Sequence, residues 1–487
     1  MKMVIPSLVA LPAILISGVI VAVAGSDDCD PRDQLPCACT AAGATFSDPE
    51  YNACFLGDVN FATKTQVDRL STRAFIALNW PVARDGDGAV LAGQPDIFAP
   101  RAQDWTPVWA SWKSTSDIFR GDAPPLGWDA HADTPAACRA VDVEAAMKRH
   151  PHADSIPASG APRLLDEYLN PDGDALIDAD GQPVRYDVIF NRQAHDYVVD
   201  NRLWDPRGLE DHLDAHGRLD MPSGAWPAGS ADPGRRGAVI LKTAWKVLSP
   251  DDDPDRFHKQ WAWITPTIDD GGIRHDCDLR PVGLVGIHIV YKTVLMPEWS
   301  WATFEHKAVA PSWDQVGAAA VGMFPSGAPT PDWLFYSNDA PGAARLNARQ
   351  RNAAAGVPAR IVKTYPPGYY FGPVGALGAV EGDCGPANQE FRCLTESIGT
   401  IFADSVFRNY VLIGTQWREG DREEGGLLVP EILGNATMET FTHAESSCIS
   451  CHRHAAPQHY GGNAPAYDFL YSFARDVSGR SIPIQGH

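Results

Sequence analysis

VGLVGIHIVYKTVL, residues Val282 to Leu295, carries β-branched and aromatic side chains at strand spacing, and its neighbours repeat the pattern. On the N-terminal side stand AVILKTAWKVL (Ala238 to Leu248) and QWAWI (Gln260 to Ile264), and on the C-terminal side WSWATFEH (Trp299 to His306). Farther out, Val184, Tyr186, Val188 and Phe190 alternate, and YVLIGTQW (Tyr410 to Trp417) reads as another strand. Such a set is expected to form an antiparallel sheet. The fold class is therefore α+β, a large antiparallel β-rich body with peripheral helices.

The helices are read from apolar stripes. Val67, Leu70, Ala74 and Leu78 recur at three- and four-residue spacing, and the stripe stops at Asn79-Trp80-Pro81. Thr106-Pro107 is an N-cap followed by proline, which predicts a helix with Trp105, Trp109 and Trp112 along one side, as core residues. Further helices are expected over Leu346 to Ala355, Gln389 to about Val406, and Ala466 to Val477. Asn170 to Gly181 (NPDGDALIDADG) is rich in carboxylates, but Ala175 stands where a calcium loop wants glycine, so the segment is read as a hairpin.

One pentapeptide carries the chemistry. Cys448-Ile449-Ser450-Cys451-His452 sets two thiols and an imidazole at the spacing that covalent haem attachment needs: each thiol adds across a vinyl group, and the histidine binds iron. With 10 Cys and 15 His in 487 residues, chance would supply the pattern about 0.006 times, so coincidence is set aside. The competing readings are half of a zinc site or a solvent-facing disulfide. The other close pair, Cys37-Ala38-Cys39, holds its thiolates too near each other for the usual zinc chelate.

Residues 1–24 look like a secretory signal: Lys2, an apolar run from Val4 to Val23, and small residues at Ala22 and Ala24. An uncleaved anchor is the alternative, since the run is long enough to span a bilayer. Nothing after it resembles a membrane span. Export to the periplasm or beyond suits the eight remaining cysteines (Cys29, Cys37, Cys39, Cys54, Cys138, Cys277, Cys384 and Cys393) as disulfides, with Cys384 and Cys393 able to close a local loop. The mature chain divides into a cysteine-containing, helix- and loop-rich region (25–160), a β-rich region (161–310) and a C-terminal region with the haem motif (311–487). A net charge of −21 argues against nucleic acid and anionic membranes; its ordinary reading is the solubility of an exported chain, with attraction of a basic redox partner as the lesser alternative.

Only 35 residues follow His452, none of them Met, so the haem pocket is expected to be completed by residues that precede Cys448. Candidates for the far side of the iron are His288, in mid-strand with Gly286 and Val290 on its face to leave room for a planar ring, then His306 and Met438. Each has an ordinary reading: a hydrogen-bonded core histidine, or a packing methionine. An empty sixth position is the other option. His443 reads as a supporting or surface residue, and His454 is too close to His452 to reach around the ring. A backbone carbonyl or a carboxylate is expected to accept the free N–H of His452.

The blocks Phe75–Pro81 (FIALNWP), Val108–Ser114 (VWASWKS), Gly237–Trp245 (GAVILKTAW), Val285–Thr293 (VGIHIVYKT), Trp299–His306, Ile413–Trp417 (IGTQW), Asn435–Phe441 (NATMETF) and Ser447–His452 (SCISCH) resemble a family of exported bacterial single-haem proteins, described simply as cytochrome c family proteins. The resemblance implies haem binding; that family generally has an aromatic residue at the place of His195, which argues against His195 as a ligand. Met221-Pro222-Ser223-Gly224 with Gly237 to Lys242 and Trp245 is similar to β-rich c-haem cytochromes in which a lysine is cross-linked to the macrocycle and which oxidise small nitrogen compounds. That similarity implies Lys242 as the cross-link and an open distal site, against the ordinary reading of a strand lysine reaching the surface.

Three functions are thus open. The first is an exported monohaem c-type protein passing electrons to or from a partner; the second an open-site haem oxidoreductase acting on peroxide, oxygen or a small nitrogen compound; the third a disulfide-braced secreted binding protein without haem.

Overall fold

A computed structural model describes residues 55, 58, 63–96, 106–121, 123–130, 132–157, 162–225, 236–265, 277–313, 315–316, 333–336, 346–347, 359–365, 368–371, 390–420, 426–457 and 466–474. The signal reading of residues 1–24 lies outside them, as do Cys29, Cys37, Cys39, Cys54, Cys384 and all but two residues of the helix expected from Leu346; those two, Leu346 and Asn347, form a turn.

The molecule is α+β and is organised on a nine-stranded sheet. Its strands are β3 (Lys113–Ser114), β4 (Arg163–Leu165), β5 (Arg185–Phe190), β6 (Val239–Val247), β7 (Lys259–Ile264), β8 (Asp278–Tyr291), β9 (Ser300–His306), β10 (Tyr410–Glu419) and β11 (Leu427–Val429). The order is β11-β10-β9-β8-β6-β5-β3, with β7 paired to β8 and β4 to β7; every pair is antiparallel except β4 with β7. Strands β1 (Val82–Arg84) and β2 (Val90–Pro95) form a separate hairpin. All three sequence regions feed the large sheet.

The opening stretch becomes its centre. Strand β8 runs against β6 on one side and against β7 and then β9 on the other, and nearly every residue in it is buried. Both faces are covered, which is why it reads as an almost continuous apolar run. On the first face Ile287, Ile289, Leu241, Ala302 and Phe304 pack beneath the Lys64–Leu78 and Glu390–Ile401 helices. The Lys64–Leu78 helix begins at the Thr63 cap and ends where Asn79 folds its amide back onto the Phe75 carbonyl (2.8 Å) and accepts the Trp109 indole N–H (2.8 Å). Phe75 stacks on Phe304 with ring centres 4.3 Å apart.

On the second face two apolar clusters flank a polar row. Phe190, Ile240, Val290 and Trp301 belong to one cluster; Tyr186, Ala244, Val285, Ala436 and Met438 belong to the other. Between them the register sets Val188 opposite Lys242, Lys242 opposite His288, and His288 opposite Thr303. Directly opposed residues share a face, so this row points to one side.

Three local expectations are corrected. Thr106-Pro107 opens only a four-residue 3-10 turn, Val108–Ser111, because Trp112 is already extended into β3; Trp109 and Trp112 are core residues, as expected. Ala466 to Ala474 is not the start of a helix: Asp468 and Phe469 adopt left-handed backbone angles (φ 50° and 67°), and a 3-10 turn, Tyr471–Phe473, follows. The helix near Gln389 ends at Ile401, short of Val406. The carboxylate-rich segment forms two tight turns, bridged Leu169 to Ala175 and Ile177 to Pro183, and its cation is Lys246, which meets Asp178 at 3.2 Å and Asp180 at 3.1 Å.

His258 gives a test of the core. It sits among Trp109, Trp245 and Phe407 with its Nε2 unpaired, and burial pushes it down to about 3. In the unfolded chain it titrates near 6.5, so its contribution is complete above about pH 6.5 and is lost as the pH falls toward 3, by up to a few kcal/mol. Relative to wild type, His258→Phe is expected to gain stability progressively in urea titrations below about pH 6.5. A stability difference that does not change with pH would contradict this.

A disulfide, Cys138–Cys277, ties the segment before the Val143–Lys148 helix to the start of β8, and Cys393 is also disulfide-bonded. The expected Cys384–Cys393 pairing lies outside the described residues. Among the described residues, no helix is long and apolar enough to cross a membrane.

Candidate functional site

Cys448–His452 forms one turn of α-helix. Spacings of three and four residues put Cys448, Cys451 and His452 on the same side of that turn. Ile449 is fully buried in the cluster that contains Val290 and Trp301, and Cys448 packs against the same cluster. The side chain of Ser447 does not cap the turn. Instead Gln416, on β10 and fully buried, accepts the Ile449 N–H at 2.9 Å and the Ser447 hydroxyl at 3.3 Å. Its amide nitrogen donates to the carbonyls of Pro430 (2.7 Å) and Glu431 (3.1 Å), so one glutamine fastens both the motif and the strand connection to the sheet.

Cys448 and Cys451 are free thiols, the first half-buried and the second exposed. Burial, reinforced by the charges of Glu439 and Cys451, holds the Cys448 thiol well above its ordinary range; desolvation and Glu439 raise Cys451 as well. Both are protonated at neutral pH and so are poor spontaneous nucleophiles.

His452 is fixed more tightly. Its Nδ1 donates to the Phe469 carbonyl at 2.7 Å, the ring lies 4.4 Å from that of Trp301 and 5.3 Å from that of Tyr471, and the Tyr471 hydroxyl donates to the Cys451 carbonyl at 3.1 Å. Desolvation lowers His452 to about 4 against the pull of the Phe469 carbonyl. The imidazole is therefore neutral, with Nε2 left as the nitrogen able to bind a metal. Two free thiols on the same side as such an imidazole are the donor set of a c-type haem, and the residues fit that group.

Phe469 is held in turn. The preceding Asp468 carboxylate accepts from Lys292 Nζ (2.7 Å) and from the Met221 N–H (2.8 Å), and Lys292 also meets Asp220 at 2.6 Å. Burial raises Asp468 to about 6, Lys292 opposing, so at neutral pH it is ionised and paired.

Two residues of the polar row, Lys242 and His288, lie near enough for their charges to act on His452, as does Glu439 of the 435–439 turn. His288 Nε2 lies 3.5 Å from Glu439 Oε2, and although burial opposes it, His288 and Lys242 hold the Glu439 carboxyl below its usual range. Lys242 reaches over the Tyr186 ring (5.0 Å). The room expected over Gly286 is filled, because the Thr437 hydroxyl of the 435–439 turn occupies the place of its missing Cβ and the Asn435 amide lies in contact beside it. Val290 is likewise packed in the apolar cluster.

The structure does not bring the other candidates to the motif. His306 faces the opposite side of the sheet from His288; its Nε2 donates to Arg256 (3.0 Å) and its Nδ1 accepts from Ala308 (3.1 Å). Met438 is fully buried in the apolar cluster beside Ala436 and Val285. His443 uses both ring nitrogens, on Thr440 and Thr364, and His195 uses both, on Asp196 and Leu126. His454 lies against the Arg453 guanidinium at 3.3 Å. Gln416, Glu439, Asp468 and Lys292 were not singled out from the sequence. Gln416, Glu439 and Lys292 do fall within blocks that carry the family resemblance, IGTQW, NATMETF and VGIHIVYKT, which was the one signal for them.

A cavity of about 260 Å³ lies apart from the motif, lined by Glu305, Lys363, Tyr365, Tyr370, Phe391 and His443 among others. Among the described residues, no group of three or more His, Cys, Asp or Glu side chains is arranged to hold a metal ion by itself. The chain matches no protein-family model, no curated protein and no solved structure.

Proposed function

We propose that the chain is an exported monohaem c-type redox protein in which Cys448 and Cys451 form the thioethers and His452 supplies the proximal iron bond. The observation that carries this reading is the motif turn itself: two free thiols beside a neutral imidazole whose Nδ1 is already committed to the Phe469 carbonyl. A haem bound there would supply one-electron chemistry and, with a vacant sixth position, activation of a small ligand. The chain's own part is to fix the proximal ring through Phe469, to anchor the motif through Gln416, and to present Lys242 and His288 from the sheet and Glu439 from the 435–439 turn. Export is supported by the signal-like residues 1–24 and the Cys138–Cys277 disulfide, which suits an oxidising compartment.

His288 is the distal candidate that the sheet register favours, and its contact with Glu439 resembles the carboxylate–imidazole pairing that orients metal-bound histidines. That arrangement suits electron transfer to a partner protein. The second reading, an open-site enzyme acting on peroxide, oxygen or a small nitrogen compound, is supported by the charged character of the same row, which would suit a small polar substrate. Visible spectra of the ferric and dithionite-reduced protein, with and without carbon monoxide, separate the two. Low-spin spectra indifferent to carbon monoxide are expected for the His288-ligated form; a ferrous spectrum that shifts with carbon monoxide removes that ligand and leaves the enzyme.

A further inference from the structure

The proximal histidine is held by a carbonyl in a backbone segment that does not hold its own shape. Asp468 and Phe469 are consecutive non-glycine residues in the left-handed region, φ 50° and 67°; aspartate tolerates it, but a bulky residue such as Phe469 adopts it only when its surroundings impose it. The imposing contacts are on the page. The Asp468 carboxylate, 6% exposed, takes Lys292 Nζ at 2.7 Å and the Met221 N–H at 2.8 Å, and Lys292 leaves the end of β8 with its side chain 4% exposed. Backbone bonds from Leu219 N–H to the Ala466 carbonyl (2.8 Å) and from Tyr467 N–H to the Ala455 carbonyl (2.9 Å) fasten the two residues just before Asp468. The next carbonyl along, Phe469, is the one that His452 Nδ1 meets at 2.7 Å.

We propose that Asp468, clamped by Lys292, is a positioning residue for His452: it fixes the peptide whose carbonyl sets the tautomer of the proximal imidazole and its basicity toward iron. The inference rests on His452 being the proximal ligand, and it adds a pairing of residues 176 apart in sequence that the attachment motif does not contain. A strong Nδ1–H···O bond makes the imidazole a better donor and favours the ferric state. Loosening the clamp therefore raises the reduction potential and frees the Nδ1 proton, while leaving the thioethers intact.

The test compares full-length wild type, Asp468→Asn, Asp468→Glu and Lys292→Gln. Haem per chain is read as the pyridine haemochrome, the midpoint potential by redox titration, and exchange of the His452 Nδ1 proton by NMR. Asp468→Asn and Lys292→Gln are expected to keep full haem content, shift the potential upward and speed exchange at least tenfold, with Asp468→Glu restoring part of both. Unchanged potential and exchange in folded Asp468→Asn overturn the proposal, and if that variant does not fold, the same result in Lys292→Gln does. Absence of a haemochrome in wild type overturns the haem reading instead. The clamp then stands or falls on the ¹⁵N tautomer ratio of His452 in the full chain: a shift away from Nδ1–H in the variants supports it, and an identical ratio sinks it.

Discussion

A chain carrying Cys448→Ala and Cys451→Ala, coexpressed with haem-attachment machinery, is expected to lose all covalently bound haem while keeping its fold. Neither thiol is part of a disulfide, Cys451 is exposed and Cys448 is half-buried, so two alanines remove little packing and no cross-link. The cost should stay within about 2 kcal/mol, of the order of a partial truncation at a half-buried site. Each single variant is expected to keep one thioether and a reduced haem content, since the other thiol and His452 remain on the same side of the turn. The check is a haem-stained denaturing gel beside a thermal melt. Wild-type haem content in the double variant would show that attachment does not run through these thiols.

Gln416→Leu is expected to do more damage from farther away. The glutamine is fully buried, donates to two carbonyls and accepts from Ile449 N–H and the Ser447 hydroxyl. Leucine has similar bulk and none of these bonds, so the buried Ile449 N–H and the Pro430 and Glu431 carbonyls lose their partner. At roughly 1–3 kcal/mol for the stranded buried Ile449 N–H, with smaller losses at the half-buried Pro430 and exposed Glu431 positions where water can replace the amide, the loss is about 2–3 kcal/mol, a sizeable share of an ordinary domain's stability. Haem yield should fall with it, because the motif turn loses the group that accepts the Ile449 amide and the Ser447 hydroxyl. Equilibrium unfolding in urea together with haem per chain measures both. Stability within about 1 kcal/mol of wild type would mean that the motif is held by Ile449 packing alone.

What could be read from the sequence follows from the range of the interactions. Strands β5 to β10 were legible because alternation and β-branched content are local properties, and the Lys64–Leu78 helix because its stripe ends at Pro81. The Ala466 segment failed for the opposite reason: its composition permits a helix, but a lysine from the end of β8 pins Asp468 in a turn. At the site, the proposed attachment residues Cys448, Cys451 and His452 lie within one pentapeptide and announce themselves, whereas the supporting residues do not. Gln416 reaches the motif across 33 positions, and Glu439 meets a histidine on a different element. Parity explains the distal candidates. His288 opposes Thr303, so His306, three residues farther along β9, must face the other side, a fact that needs the strand register and not the strand alone. The glycine at 286, which suggested room for a ring, is instead the place where the 435–439 turn approaches the sheet.

The most direct measurement is the pyridine haemochrome of the full-length chain, expressed with attachment machinery and denatured before assay. One haem per chain, with the absorption band of a thioether-linked porphyrin, is the predicted result. A colourless chain, or a haem that extracts into acidic acetone, would contradict the account.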